Sequence, residues 1–441
     1  MELAKLSEIM RECGIVGAGG AGFPAYAKLN PAADTVILNC AECEPLFKLH
    51  RQVLARYTKE ILTALDEIAE SLGASSVIVA VKPAYTEAVE ALKACIGKFK
   101  KAKIKYLPEV YPAGDEVVTV YETTGRVIAP GALPITVGCI VYNVESIYNF
   151  YRAWKEGATV THKFITVAGE VKNPCTLRVP LGITYGELVR LVGGKTCEDA
   201  VIIAGGPMTG RISSESEVVT KTSNAILVMP KNAYIVSKRL TPVTISTKRA
   251  MAACCQCRMC TDLCSRNLLG QPIEPHKIMR AVASGVADSK VFLNAFSCSS
   301  CGLCEMYSCG QGLDPRSIIN EIKGELRKNG IMPPKGVEAG KVDPSIEYRK
   351  VPMSKLTARM GLTKYDVPAP LVDVDITCDR VKIMLAQGIG VPAVAAVKKG
   401  DSIKAGDLIG AYVADKLGTS VHASLDGRVC EVTNSYVVIE K

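Results

Sequence analysis

Hydrophobic positions along the first third of the chain alternate between two periods. Leu3, Leu6, Ile9 and Met10 recur at helical spacing over residues 2–12. Residues 35–38 (TVIL) form a short unbroken apolar run of the kind that fills a buried strand. Leu54, Tyr57, Ile61, Leu62, Leu65 and Ile68 then predict one helix over 52–72, stopped by Gly73. A strand at 76–81, a helix at 85–99 and a strand at 103–106 continue the alternation. Strands separated by helices imply a parallel, Rossmann-like sheet.

The pattern changes further along. Residues 164–192 read strand, turn, strand, helix, and 201–211 (VIIAGGPMTGR) adds a strand and a glycine turn. A connector rich in Pro, Lys and Thr covers 230–250. A turn and helix follow the cysteine-rich stretch at its start, and a closing helix spans 314–330. Residues 331–370 have few periodic apolar positions and read as an extended linker. From 380 onward, short strands with glycine turns (GVPAVAAVKKGDSIKAGDLIG, then VHASLDGRVCEV) suggest a small sandwich of the biotinyl–lipoyl type. The expected fold class is α/β multidomain. Its boundaries are 1–155 for the Rossmann-like unit, 160–235 for a β-grasp unit, 245–330 for a helical cysteine unit, 331–370 for the linker and 371–441 for the barrel-sandwich hybrid.

A length of 441 residues agrees with several cores. No apolar window reaches the 18 residues of a membrane span, and the amino terminus has no signal-peptide pattern. The net charge of +9 is mild, with no aromatic-interleaved basic stripe, so nucleic acid is not an expected partner. Eighteen cysteines in so long a chain fit a reducing cytoplasm better than a disulfide scaffold.

Eight of those cysteines carry the strongest chemical signal. Cys254, Cys257, Cys260 and Cys264 follow C-x2-C-x2-C-x3-C, and Cys298, Cys301, Cys304 and Cys309 repeat it with one extra residue before the last. Two residues between thiols let three thiolates on one loop reach three irons of a cubane, and in two-cluster proteins the fourth ligand comes from the other run. The expectation is therefore two [4Fe–4S] clusters, one on Cys254, Cys257, Cys260 and Cys309, the other on Cys298, Cys301, Cys304 and Cys264. Zinc prefers separated C-x2-C pairs. Cys255 has no place in the spacing and is expected to be a packed thiol. His50, His162, His276 and His422 lack ligand spacing and are expected to be structural.

Four motifs stand in the Rossmann-like unit: GAGGAGFP (17–24), NCAECEP (39–45), YPAGDE (111–116) and YNVES (142–146). The first satisfies G-x-G-x-x-G but follows a helix instead of a strand, so it reads as a glycine loop whose amides approach a phosphate. NCAECEP lies at the end of a predicted strand, where doubly wound sheets hold ligands. In this order the motifs resemble the flavin-binding fold of the NADH-oxidising subunit of respiratory complex I. They are still more similar to the RnfC-like and PduS-type cobalamin reductase family.

That resemblance implies FMN and NADH as cofactors, held by Gly17, Gly19, Gly20, Gly22, Phe23, Lys28, Asn39, Glu42, Glu44, Glu116 and Asn143. Ala41 stands where the complex I subunit has an aspartate. The resemblance also implies an SLBB-like identity for the β-grasp unit and a two-cluster ferredoxin-like identity for the cysteine unit; since a fold does not carry function by itself, the β-grasp unit is expected to be a packing and spacing module. RnfC carries the sandwich at its amino-terminal end, whereas the cobalamin-reductase branch has it, as here, at the carboxy-terminal end. Lys416, in a D-K turn, is expected to stay unmodified. The function implied is an NADH-dependent oxidoreductase that passes electrons through FMN and the clusters to cobalamin or a corrinoid-handling partner, or to other redox proteins. The alternatives are an electron-input subunit for another reductase, such as an amino-acid reductase, and a non-enzymatic electron-transfer adaptor. The implied location is the cytoplasm, with a bacterial microcompartment as the alternative.

Overall fold

The computed structural model describes residues 1–286, 288–372, 374 and 376–441. Strands Thr35–Asn39, Ser76–Val81, Ala102–Tyr106 and Cys139–Asn143 form a wholly parallel sheet. Its spatial order is Ala102–Tyr106, Ser76–Val81, Thr35–Asn39, Cys139–Asn143. The chain therefore builds outward from Thr35–Asn39 in one direction and then returns to its other side. This reversal lies between Thr35–Asn39 and Cys139–Asn143, whose last residues, Asn39 and Asn143, are register partners.

The helix expected over 52–72 is two helices, Leu49–Arg56 and Thr58–Leu72. Tyr57 leaves helical geometry and stacks on Tyr148, ring centroids 4.2 Å apart. The Thr58 hydroxyl donates to the carbonyl of Leu54 and holds the corner. Gly73 ends the second helix at φ +71, a left-handed conformation that glycine adopts without a β-carbon clash.

The β-grasp unit is a sheet ordered Leu371–Val372, Cys175–Pro180, His162–Gly169, Ala225–Pro230, Ala200–Ala204, Arg211–Ser213. Its helix Tyr185–Leu191 opens on a capping box between Thr184 and Glu187. The outermost strand, Leu371–Val372, comes from beyond the supposed linker. The linker is itself packed. Val351–Pro352 pairs with Val110–Tyr111, and the helix Met353–Arg359 buries Leu356 in a cluster with Tyr111, Met208 and Leu303. Low periodicity concealed this because so short a helix shows only one buried face.

The 230–250 connector is also helical, as Tyr234–Leu240 and Val243–Ala253, with Pro242 in extended geometry between them. Its Lys238 is buried and paired with Asp314 at 2.5 Å, so charge in the sequence disguised a packed segment. The cysteine unit is helical, closed by Pro315–Lys328. The carboxy-terminal unit packs one sheet of Arg380–Met384, Tyr436–Glu440, Gly427–Val432 and Ser402–Ile403 with a second of Val394–Ala395, Leu408–Ala411 and Val421–His422. Among the described residues no helix is long and apolar enough to cross a membrane.

Candidate functional site

A cavity of about 480 Å³ opens at the carboxyl ends of Thr35–Asn39 and Cys139–Asn143. This is the reversal point, where open α/β sheets hold ligands, and the volume lies in the range of small-molecule sites. Gly17, Gly19, Gly20, Gly22, Phe23, Lys28, Asn39, Glu116 and Asn143 line it.

The glycine loop is fixed from behind. Gly17 N–H donates to the Phe23 carbonyl at 2.8 Å, and Ala18 N–H donates to the Ser146 hydroxyl at 3.0 Å. A β-carbon at Gly19 would stand 2.4 Å from Asn143 Nδ2, whereas one at Gly20 would meet nothing within 4 Å. The loop thus presents bare backbone to the cavity, the property that close approach of a phosphate or flat ring requires. Both asparagines also serve the scaffold. Asn39 Nδ2 donates to the Gly114 carbonyl at 3.0 Å. Asn143 Oδ1 caps the next helix by accepting from Glu145 N–H at 2.9 Å. Lys28 Nζ is held by the Val141 carbonyl at 2.7 Å and the Glu116 carboxylate at 3.1 Å.

Glu42 and Glu44 stand outside the cavity lining. Glu42 is buried, accepts from His50 N–H at 2.8 Å and pairs with Arg51 at 2.6 Å. Glu44 accepts from the amides of Met208 and Thr209 at 2.7 and 2.8 Å, and from the Thr209 hydroxyl. Burial pushes the Glu44 carboxyl up, against the pull of these bonds and of Arg239. Both carboxylates tie segments together: Glu42 within its own unit, Glu44 onto the GGPM turn of the β-grasp unit. A β-carbon at Gly206 would collide with Glu44, and Gly205 takes a left-handed φ of +93, which together account for the paired glycines of that turn.

The thiols gather in two sets. Burial pushes Cys260 up to about 12, with the neighbouring thiols Cys309, Cys257 and Cys254 adding to the rise. Burial also pushes Cys264 up to about 12, beside Cys301 and Cys298, and Cys304 is raised beside Cys298, Cys301 and Cys264. The packing divides the same way. Cys254 and Cys309 border a small core of Ala250, Met279, Leu313 and Ile318, while Cys264 and Cys298 border one of Ile273, Ile278, Ala295 and Ile319. Each set draws four thiols from both runs, the composition that a [4Fe–4S] cubane with an exchanged fourth ligand would need. Among the described residues, no three His, Cys, Asp or Glu converge on a single-ion site.

The extra residue in the second run has a structural answer. Cys304–Ser308 forms a wide π-turn, closed by the Ser308 hydroxyl on the Leu303 carbonyl at 3.1 Å. A π-turn absorbs one residue more than an α-turn. Cys255, expected to be packed, is exposed, within an exposed stretch of residues 255–259.

Residues 111–116 form a wall between the second thiol set and the cavity, which Gly114 and Glu116 line. Asp115 caps the helix Glu116–Thr124 and receives Arg266, two residues past Cys264, at 2.9 Å. The Tyr111 hydroxyl donates to the Cys301 carbonyl at 2.5 Å. Cys43 lies in this wall with its sulfur accepting from Gly114 N–H at 2.7 Å, and burial raises that thiol to about 12.

Comparison with known proteins agrees with this arrangement. The family model for the Nuo51 FMN-binding domain matches residues 10–152, and that for a 4Fe-4S dicluster domain matches 253–314. The SLBB domain matches 164–212 and the RnfC barrel sandwich hybrid domain 369–441. The chain is 37% identical to the cobalamin reductase PduS of Citrobacter freundii, covering 98% of this chain and 96% of that one. It belongs to the PduS cobalamin reductase family. PduS of Salmonella typhimurium is 36% identical, with 99% and 96% covered. A component of the Na(+)-translocating ferredoxin:NAD(+) oxidoreductase complex of Acetobacterium woodii is 29% identical over 62% of this chain and 60% of that component. As a PduS-family protein the chain is an oxidoreductase with an FMN-binding domain and a 4Fe-4S dicluster domain.

Sequence reasoning missed Gly114, Tyr142 and Ile389 in the cavity lining. Tyr142 could have been found from the apolar run before Asn143. Ile389 carried no local signal, since it arrives from the other end of the chain.

Proposed function

We propose that the protein is an NADH-dependent flavo-iron–sulfur reductase whose terminal acceptor is a cobalamin. One observation carries the reading: residues 111–116 join the glycine-lined cavity to the Cys264, Cys298, Cys301 and Cys304 set, with Gly114 and Glu116 lining the cavity and Tyr111 and Asp115 bonded to the Cys301 carbonyl and to Arg266. The full-length likeness to cobalamin reductases supports the acceptor, whereas the likeness to the component of the ion-translocating complex stops at 62% of the chain.

Gly17, Gly19, Gly20, Gly22, Phe23, Lys28, Asn39, Glu116 and Asn143 would hold FMN. The bare loop fits the group, and Asn39 keeps a second amide hydrogen beyond the one given to Gly114. Bound there, FMN supplies the exchange between the two-electron chemistry of NADH and the one-electron chemistry of iron–sulfur clusters. The protein's own part is positional. Arg266 and Asp115 fix the cavity against the thiols, and the Lys28–Glu116 pair holds one cation at the cavity wall. Amides tune the sulfurs: Ser300 N–H approaches Cys298 Sγ at 3.3 Å and Leu313 N–H approaches Cys309 Sγ at 3.4 Å. We place the protein in the cytoplasm, with a microcompartment interior as the alternative. Its cysteines are all unpaired, in keeping with a reducing environment.

The test is an anaerobic spectrum of the reconstituted full-length protein before and after NADH, followed by addition of cob(II)alamin. Flavin bleaching and then corrinoid reduction are expected. No bleaching would favour the adaptor reading. Bleaching without corrinoid reduction would favour an input subunit for another reductase. Gly20→Val sharpens the result. Its side chain has no protein atom within reach of the β-carbon, so the fold should persist while flavin content falls.

A further inference from the structure

The carboxy-terminal sandwich reaches back to the glycine loop. Ile389 N–H donates to the carbonyls of Ala21 and Gly22 at 3.1 and 3.2 Å. Gly388 and Gly22 touch backbone to backbone: a β-carbon on Gly22 would stand 2.6 Å from Gly388 Cα, and one on Gly388 2.3 Å from the Gly22 carbonyl oxygen. Gln387 secures the approach, its side chain accepting from Lys221 N–H at 2.9 Å and donating to the Met384 carbonyl at 2.9 Å.

Further contacts seat the whole unit. Arg11 donates to the Lys416 carbonyl at 2.8 Å and lies over the Tyr412 ring at 4.0 Å. Buried Lys221 bridges the carbonyls of Gly14 and Ser420 at 2.7 and 2.8 Å. The Ile389 side chain then lines the cavity while remaining 48% exposed, and Leu133, another lining residue, is 56% exposed. Two large apolar side chains left open to water at one cavity are a surface that a flat apolar ring would cover.

We propose that Ile389 is a ligand-binding residue of this cavity: the sandwich supplies its outer wall, and Ile389 packs on the face of a planar heterocycle, the flavin ring or the nicotinamide ring. The inference rests on the proposed function, in which the cavity takes FMN and NADH. It assigns to the carboxy-terminal unit a part in ligand affinity that a spacer or carrier domain would not have.

The test uses the full-length protein with Ile389→Asp, Ile389→Ala, Ile389→Val and, on the same unit away from the cavity, Val394→Asp. Three quantities are read: FMN affinity of the flavin-free protein by fluorescence titration, KM and kcat for NADH with an artificial dye at saturating FMN, and melting temperature. Charging the apolar wall should weaken binding about tenfold, and Ile389→Ala should act in the same direction by a smaller factor. Ile389→Val should fall between Ile389→Ala and the parent, and Val394→Asp should bind as the parent does. A weaker FMN affinity identifies the flavin ring as the partner. A raised KM for NADH, with FMN affinity and kcat kept, identifies the nicotinamide ring. If the parent binds FMN and Ile389→Ala matches it in both affinities, the proposal is overturned, whether or not Ile389→Asp folds. If the parent itself takes up no FMN, the reading of the cavity falls first and this inference falls with it.

Discussion

The two cysteine runs share a backbone and differ in surroundings. In the first run Gln256 and Arg258 adopt left-handed φ values of 57 and 66; in the second, Ser300 and Gly302 occupy the same positions at 59 and 80. These turns bend the chain so that successive thiols face one centre, and outside glycine they are uncommon. Around the first run residues 255–259 are exposed. The second run is enclosed by Tyr111, Leu303, Met306 and the GGPM turn, with Arg316 donating to the Met208 carbonyl at 2.5 Å. The same local device therefore serves one thiol set that includes the exposed Cys257 and another, against the wall of residues 111–116, with no exposed thiol. Position in the assembly, not the motif, decides which set can meet an outside partner.

The largest effect that tests this contrast comes from the ligands. Cys301→Ala and Cys264→Ala strike the enclosed set from opposite runs. Both should lose the same cluster, retain NADH-to-dye activity and lose most corrinoid reduction. Cys255→Ala, at an exposed thiol outside both sets, should keep parental iron and sulfide. EPR spectra in which Cys264→Ala loses the same cluster signal as Cys257→Ala would refute the exchanged ligand. Next in size is the response to oxygen or a chelator. The exposed set should lose iron severalfold faster, so iron should fall to half in a distinct first phase, read by iron assay and EPR. One uniform phase would erase the contrast.

A smaller effect is expected at the shared wall. Arg266→Ala leaves the carboxylate of Asp115 without its partner at 2.9 Å and should cost about 1.5–3 kcal/mol in denaturant unfolding. The smallest concerns the equivalent turn positions. Gly302→Ala puts a side chain at a left-handed residue, 3.1 Å from the Met208 carbonyl, and should cost about 1–2 kcal/mol. Arg258→Ala, exposed and already non-glycine, should stay within about 0.5 kcal/mol. Equal costs at the two positions would mean that the surroundings do not matter there.

What could be read from the sequence follows the reach of each interaction. The cysteine spacing, the glycine loop and the alternation of strand and helix are local patterns, and they led to the thiol sets, the parallel sheet and nine of the cavity residues. Glu42 and Glu44 looked like ligand groups because an acidic motif ends a strand. Their partners, Arg51 in the following helix and the Met208–Thr209 amides of another unit, engage them within the protein. Tyr57 broke a helix whose periodicity was intact, since stacking on Tyr148 has no counterpart in spacing. The linker and connector were misread for a related cause: Leu356 and Lys238 are buried by surfaces far away in the chain.

The seat of the sandwich bears on gene architecture. Its contacts run to the opposite end of the chain, from Lys416 and Ser420 to Arg11 and from Ile389 to the glycine loop. A polypeptide that entered this unit first and reached the Rossmann-like sheet afterwards would deliver it to the same place. The order of the coding segments is then free to rotate while the three-dimensional neighbourhood is conserved. Circular permutation, with a peptide joining 441 to 1 and new ends opened within 331–340, becomes a rearrangement that this architecture tolerates.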